Sequence, residues 1–373
     1  MYIRSLELSH YRNYEQLSIE FDPGITILYG DNAQGKTNIL EAIYLSGTTK
    51  SHRGSKDKDL IQFEEEEAHI RLRLMKYEVE HRIDMHLRKS KSKGVAVDGQ
   101  SIKKSGELFG IVHMIFFSPE DLSIIKNGPA ERRRFMNLEL CQLSKLYYHN
   151  YVNYNKALNQ RNTLLKQIAY HSDLQDTLEV WDTYLMEYGK SIIEERTAFI
   201  QKLNQIVKVI HQHLTGKRES IEILYEQNVT IEEYASTMER KRQTDLKYQS
   251  TQTGPHRDDI CFLINGVDVR KYGSQGQQRT AALSLKLAEI ELVKEMIHDT
   301  PILLLDDVMS ELDHHRKNYL LDSISEIQTI VTCTGYDDFI QSRLKVNQIY
   351  KVTNGTVDQL SITKESDSFV SVP

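Results

Sequence analysis

The chain has 373 residues, enough for two or three domains. Lys+Arg of 47 against Asp+Glu of 53 leaves a net charge of −6, and 39% hydrophobic with 27% charged residues is an ordinary globular balance. Collagen-like, mucin-like and wholly disordered chains are excluded, and no run approaches the roughly 18 uncharged apolar residues of a membrane-spanning helix. Met1-Tyr2-Ile3-Arg4-Ser5-Leu6 lacks a basic start followed by an apolar core, so no signal peptide is expected. Cys141, Cys261 and Cys333 lie far apart with no C-x-x-C spacing, so neither a zinc site nor a disulfide framework is expected, and the chain reads as cytoplasmic and reduced.

The first 120 or so positions read as strands. Leu17, Ile19 and Phe21 alternate with polar neighbours before the turn Asp22-Pro23-Gly24, and Ile25–Tyr29 is a buried strand entering Gly30. A helix is predicted from about Lys36 to Leu45. Strands are then predicted over His69–Leu74, Tyr77–Leu87 and Gly94–Val97, followed by the turn Asp98-Gly99, and Leu108–Phe117 closes the region at Ser118-Pro119. Residues 119–253 read as a mainly helical insertion. From Glu120 to Leu246 Pro129 is the only proline, and Met136, Leu140, Leu143 and Tyr147, then Leu158, Leu165 and Ile168, then Leu185, Tyr188 and Ile192 recur at helical spacing. The tyrosines of 147–154 fit helix packing better than base stacking. These seams are too short for a sustained heptad coiled coil. After Gly254-Pro255 come strands at Ile260–Ile264 and Val267–Val269, a helix over Gln277–Ile297, a strand at Ile302–Leu305, a helix over His315–Ile327 and a strand at Thr329–Cys333. Short strands near Ile349–Val352 and Gln359–Ile362 precede a frayed tail, Glu365–Pro373. Residues 1–118 and 254–373 are thus expected to build one α/β lobe around the insertion.

Gly30-Asp31-Asn32-Ala33-Gln34-Gly35-Lys36-Thr37 is a complete G-x-x-x-x-G-K-[ST] phosphate loop. Its glycines let successive N–H groups turn inward onto phosphate oxygens, Lys36 puts positive charge on the β/γ phosphates, and the Thr37 hydroxyl is a Mg²⁺ ligand. The apolar strand Ile302-Leu303-Leu304-Leu305 ends in Asp306-Asp307. Asp306 is expected to hold the metal opposite Thr37, and Asp307 to position or deprotonate the attacking water. Tyr272-Gly273-Ser274-Gln275-Gly276-Gln277-Gln278-Arg279 opens a helix with a second phosphate-facing surface. One nucleotide cannot easily occupy both surfaces of one chain, so the second is expected to close on a partner copy's γ-phosphate, with Ser310-Glu311-Leu312-Asp313 at the seam.

Together these motifs resemble the ABC-type ATPase heads of the SMC and Rad50 families, and more closely the RecF family of bacterial recombination mediators. The closer likeness is carried by Tyr11-Arg12-Asn13-Tyr14, Glu41-Ala42-Ile43-Tyr44, Lys50-Ser51-His52-Arg53, Phe117-Ser118-Pro119-Glu120-Asp121-Leu122, Arg132-Arg133-Arg134-Phe135 and Gly254-Pro255-His256-Arg257-Asp258-Asp259. SMC and Rad50 heads are split by hundreds of coiled-coil residues, whereas here Thr37 and Asp306 are 269 positions apart (306 − 37). The implied architecture is a P-loop ABC-type α/β head with an inserted helical domain and no long coiled coil. The resemblance implies that Gly30, Asp31, Asn32, Ala33, Gln34, Gly35, Lys36 and Thr37 bind ATP, that Thr37 and Asp306 hold Mg²⁺, and that Ser274, Gly276 and Gln277 reach the nucleotide of a second copy. It implies that Arg12 comes to the nucleotide, and that Lys36 and Asp307 are the catalytic groups. Asp307 stands where the ABC pattern usually has glutamate, and Thr332 or Thr334 where it has a switch histidine, so slow hydrolysis is expected.

The implied function is ATP-gated binding of duplex DNA or single/double-strand junctions in recombinational repair, replication and the response to DNA damage. The implied partners are RecR and RecO and a second copy of the chain. Lys50–Lys58 and Arg132–Arg134 are candidate DNA contacts, and Lys89, Lys91 and Lys93 fall in an exposed hairpin loop. The alternatives are another SMC-like DNA-handling ATPase or nuclease, and an ABC transporter nucleotide-binding subunit. A nuclease would need a further acidic metal cluster, and Asp258-Asp259 beside Arg257 suits an ion-paired loop better.

Overall fold

The sheets of this chain are built by strand register that the alternating apolar pattern dictates. The computed structural model describes residues 1–103, 105–335 and 346–360. It divides into two compact units: Met1–Leu108 with Val112–Pro119 and Thr300–Pro373, and Phe109–Ile111 with Glu120–Asp299. Among the described residues no helix is long and apolar enough to cross a membrane.

The first unit contains β1 (Tyr2–Tyr11), β2 (Tyr14–Glu20), β3 (Ile25–Tyr29), α1 (Lys36–Thr48), β4 (Glu67–Lys76), β5 (Val79–Arg88), β6 (Gly94–Val97), β7 (Gln100–Ser101) and β8 (Met114–Phe117). An antiparallel sheet runs β2-β1-β4-β5-β6-β7. Along β4, Ala68, Ile70, Leu72 and Leu74 are buried while their neighbours face outward, the period-2 pattern of a half-buried sheet.

The second unit holds α2 (Leu122–Lys126), α3 (Pro129–Leu143), α4 (Lys145–Ile168), α5 (Leu178–Leu214), β9 (Ile221–Glu226), α6 (Tyr234–Tyr248), β10 (Asp259–Ile264), β11 (Val267–Asp268), α7 (Val269–Tyr272) and α8 (Gln275–Ile297). Tyr147 and Tyr154 are buried on α4, which is the helix-packing role expected of them. The chain returns to the first unit through β12 (Ile302–Asp306), α9 (His314–Ser323), β13 (Thr329–Cys333), β14 (Val346–Thr353) and β15 (Thr356–Leu360). The second sheet of that unit runs β15-β14-β3-β13-β12-β8, parallel except for the β14–β15 edge. Ile27, Leu28, Leu303–Leu305, Ile330 and Val331 are fully buried in it, which suits the near-continuous apolar runs of parallel strands.

Besides shorter elements than predicted at Leu108–Phe117 and His315–Ile327, the chain departs from the sequence reading in two places that bear on its organisation. The mainly helical insertion includes one strand absent from the sequence reading: β9 pairs antiparallel with β10, Ile223 opposite Phe262. The second boundary falls at residue 299 rather than 253, so α8 belongs to the helical unit. Gly254-Pro255 has the look of a linker but is a packed turn. A Cβ on Gly254 (φ 132°) would lie 2.4 Å from the hydroxyls of both Tyr154 and Tyr234. The strand after it is tied in by buried ion pairs, Arg132 Nε to Asp259 Oδ1 at 2.6 Å and Arg196 Nη1 to Asp258 Oδ2 at 2.9 Å. Asp258-Asp259 is thus an ion-paired structural loop, with partners 60 to 130 positions away and not Arg257. Residues 361–373, including the end of the last predicted strand and the tail, lie outside the described residues.

Candidate nucleotide-binding site

In parallel α/β sheets, ligands collect at the carboxyl ends of the strands. Here β3 ends at Tyr29 and hands the chain to Gly30, β12 ends at Asp306, and β13 lies between them. The phosphate loop and the acidic pair, 269 positions apart, therefore meet (306 − 37). Thr37 Oγ1 donates to Asp306 Oδ1 at 2.8 Å.

The loop needs glycine at both ends. Gly30 has φ 152°, and a Cβ there would sit 2.3 Å from the carbonyl oxygen of Val352. Gly35, φ 111°, caps α1 and is crowded by Asn13 and the Tyr14 hydroxyl, which donates to its carbonyl at 3.0 Å. Between them Asp31, Asn32 and Ala33 are exposed, so the tip is open to a ligand. Gln34 is braced from two sides. Its carbonyl accepts from Asn13 Nδ2 at 3.1 Å, and its Oε1 accepts from the backbone N–H of Asn354 at 2.7 Å.

Lys36 is buried and donates to the carbonyls of Gly30 at 2.5 Å and Asp31 at 2.7 Å. Burial lowers its pKa, and Asp307 is the strongest of the carboxylates opposing that shift. The ammonium therefore already lies inside the loop that would cradle phosphate. Asp306, 8% exposed, accepts from Thr37 and also from Thr332 Oγ1 at 2.7 Å. Thr332 is fully buried on β13, and its hydroxyl also receives the Asp307 N–H at 3.1 Å. Of the two threonines read at the switch position, Thr332 is thus committed to the Asp306 carboxylate and the Asp307 backbone, while Thr334 is exposed at the strand end. Asp307 itself takes a left-handed φ of 53°, which turns the chain sharply after β12.

Arg12 is next to this loop in sequence order of contacts through Asn13, but its own guanidinium is otherwise engaged. Its Nε and Nη2 form a fork on Glu41 at 3.0 and 3.1 Å, and its remaining donors reach the Asp59 carbonyl and Ser55 Oγ. Glu41 is fully buried and also accepts from Ser51 Oγ at 2.5 Å. The sequence reading missed Glu41 and Asn13 as functional groups although both lie in the stretches that carried the resemblance. Thr332 gave no signal beyond being a β-branched residue in a strand.

Ser274, Gly276 and Gln277 open the 23-residue helix α8. Ser274 Oγ accepts from the Gln277 N–H, and Gln277 Oε1 accepts from the Ser274 N–H, a capping box that satisfies two orphan donors. Ser274, Gln275 and Gly276 are exposed, and a Cβ at Gly276 would meet nothing closer than 3.9 Å. Gln277 Nε2 donates to Glu219 at 2.9 Å, and the same carboxylate lies 3.5 Å from buried His211, so the signature is anchored to α5. Ser310 Oγ donates to the Asp307 carbonyl at 2.8 Å, and Asp313 caps α9.

Among the candidate DNA contacts, Arg132 is withdrawn: it is 2% exposed and spent on Asp259 and two backbone carbonyls. Arg133 donates to the Asp258 carbonyl, whereas Arg134 is exposed. Lys50, Arg53, Lys56 and Lys58 are exposed on the first unit. In the β5–β6 hairpin, Lys93 is tied to Asp57 at 2.9 Å and Lys89 to Glu66 at 3.5 Å.

The sequence pattern of the RecF/RecN/SMC N-terminal domain matches residues 2–358. The DNA replication and repair protein RecF of Lachnoclostridium phytofermentans is 61% identical over 96% of this chain and 100% of its own length. A solved structure of the recombination mediator protein RecF with ATP, in the RecFOR pathway, is 38% identical and superposes with a TM-score of 0.90 over 96% of this chain and 98% of its own. An SMC head domain from Pyrococcus furiosus, 17% identical with a TM-score of 0.58 over 98% of this chain and 97% of its own, shares the fold alone.

Proposed function

The chain belongs to the RecF/RecN/SMC family, in its RecF branch, and from that premise we propose that ATP closes it on DNA and slow hydrolysis releases it. It is a DNA replication and repair protein with an SMC-type ATPase head that binds ATP. The observation that carries the finer reading is the junction of Thr37, Asp306 and Thr332 beneath the loop that holds Lys36.

Incoming phosphates would take over the Lys36 ammonium from the Gly30 and Asp31 carbonyls and meet backbone N–H groups of the loop after Gly30, whose own N–H is spent on the Cys333 carbonyl. The Thr37 hydroxyl and Asp306 carboxylate are hard oxygen donors close together, the set that suits Mg²⁺. When bound, Mg²⁺ would neutralise charge building on the phosphates. Asp307, held by the Thr332 hydroxyl through its backbone N–H, would accept the proton of the attacking water. A side chain one methylene shorter than glutamate reaches that water less well, which supports a slow switch. Arg12 would join the nucleotide only by giving up Glu41.

In the proposed dimer, the exposed start of α8 from one copy meets the nucleotide of the other through Ser274, Gly276 and Gln277. Lys50, Arg53, Lys56 and Lys58 would read DNA backbone, at duplexes or single/double-strand junctions, with RecR and RecO as protein partners. Anisotropy of a labelled duplex, titrated with and without ATP·Mg²⁺ at two salt concentrations, tests this. Affinity should rise with ATP, fall steeply with salt, and lose its ATP gain in Ser274→Arg. Affinity indifferent to ATP refutes the switch.

A further inference from the structure

The exposed face of the first sheet carries a cluster that the nucleotide site does not use. Glu67 and His69 are two apart on β4 and so share a face, and the register sets His86 of β5 directly opposite His69. The imidazoles stack with centroids 4.3 Å apart and planes 20° from parallel. The Glu67 carboxylate reaches both rings, with Oε2 2.8 Å from His86 Nε2 and Oε1 3.7 Å from His69 Nε2. All three donor atoms fall within 4.8 Å of one another.

We propose that Glu67, His69 and His86 bind one divalent first-row transition ion, with zinc the best match to two imidazoles and a carboxylate. Zinc–ligand bonds of about 2.0–2.1 Å in a tetrahedral site place donor atoms roughly 3.3–3.4 Å apart. The two imidazole–carboxylate separations bracket that figure, so small side-chain rotations complete the site. Imidazole donors select zinc, copper or nickel over magnesium and calcium.

The charges nearby do not compete for Glu67. Arg71 is engaged by Glu7 and Asp84, Lys89 by Glu66, and Arg88 donates to the Ser92 carbonyl. His69 and His86 border an open cleft of about 730 Å³, and Glu67 is exposed beside them, so a fourth coordination position is open to water or a partner's side chain. None of them bonds to the phosphate loop, Asp306 or Asp307. The cysteine spacing that argued against zinc has no bearing on a site built from histidines. Such an ion would clamp β4 to β5 and stabilise the first unit by binding only its folded form.

Isothermal titration of the full-length chain with ZnCl₂, without nucleotide and in a non-coordinating buffer, tests the site. Wild type should bind one more zinc per chain than the His69→Ala/His86→Ala double variant, so other sites cancel in the difference. Glu67→Gln, which keeps the side-chain volume, should weaken that zinc at least tenfold. Binding of a fluorescent ADP analogue should be equal in all three proteins and so reports folding. Equal zinc stoichiometry and affinity in wild type and both variants overturns the proposal. Displacement of the zinc by millimolar Mg²⁺ does so too, because it would mark an unselective anionic patch.

Discussion

Thr332 shows how much of a catalytic geometry can rest on one hydroxyl. Its Oγ1 donates to the Asp306 carboxylate and accepts from the Asp307 backbone N–H, so a single side chain fixes one carboxylate and the backbone that carries the other. Thr332→Val keeps the strand and the shape but removes both bonds. Losing a hydrogen bond to a charged group costs about 1.5–3 kcal/mol where nothing replaces it. If even the lower figure falls on the transition state, hydrolysis drops roughly tenfold. ATP affinity without Mg²⁺ should change little, because Lys36 and the loop N–H groups are untouched. Single-turnover hydrolysis beside nucleotide binding separates the two, and Thr332→Ser should restore the rate. Equal rates in wild type and valine variant would make Thr332 an ordinary core residue.

At the scale of elements, α3 and α8 bury a charged cluster that ties helix packing to pH. Glu139 and Glu289 are both buried, and Lys286 Nζ sits 2.7 Å from Glu289 Oε2. Burial first, and then the Glu289 charge, pushes the Glu139 carboxyl well above the usual range, while Lys286 holds Glu289 closer to its ionised form. Glu139 therefore carries the proton and shares it with Glu289. A carboxyl whose folded pKa is raised contributes stability that is complete below its unfolded pKa of about 4.3 and is lost as pH rises through the folded value. Lys286 is charged in both states across that range and adds no slope. The second unit should thus lose denaturant stability from weakly acid to weakly alkaline pH. Glu139→Gln, which keeps a donor for Glu289 without a titrating proton, should flatten that loss. The check is urea unfolding at several pH values, and parallel curves for the two proteins would refute the assignment.

What could be read in advance at this scale follows from which residues have no substitute. Gly30 and Gly35 adopt backbone conformations that exclude side chains, and Asp306 must be an oxygen ligand at a strand end, so both stood out. The six residues of β9 did not, because an Ile-Glu-Ile-Leu-Tyr-Glu run between helices has no turn pair to mark it and draws its order from β10. Arg132 looked like a basic surface cluster because its partner Asp259 is 127 positions away.

For the whole molecule, the consequential fact is that the phosphate loop and Asp306 belong to one compact unit and the Ser274 signature to the other. Each unit is assembled from separated stretches of chain, and the second runs on to residue 299, past the 253 read from the sequence, so that it includes α8. The division has a thermodynamic signature. A nucleotide held by the first unit alone stabilises it by about 2.7 kcal/mol at a hundred times its dissociation constant. At about 2–4 °C per kcal/mol for a unit of this size, that is a rise in Tm of roughly 5–10 °C. Ser274→Arg changes an exposed residue of the second unit, so the rise with ADP should persist in full. The same variant should fail to dimerise with ATP·Mg²⁺ in sedimentation velocity, because its arginine would occupy the surface meant for the partner's nucleotide. Loss of the ADP shift in Ser274→Arg would mean that the signature helps to hold its own chain's nucleotide, and the two-copy arrangement would have to be abandoned.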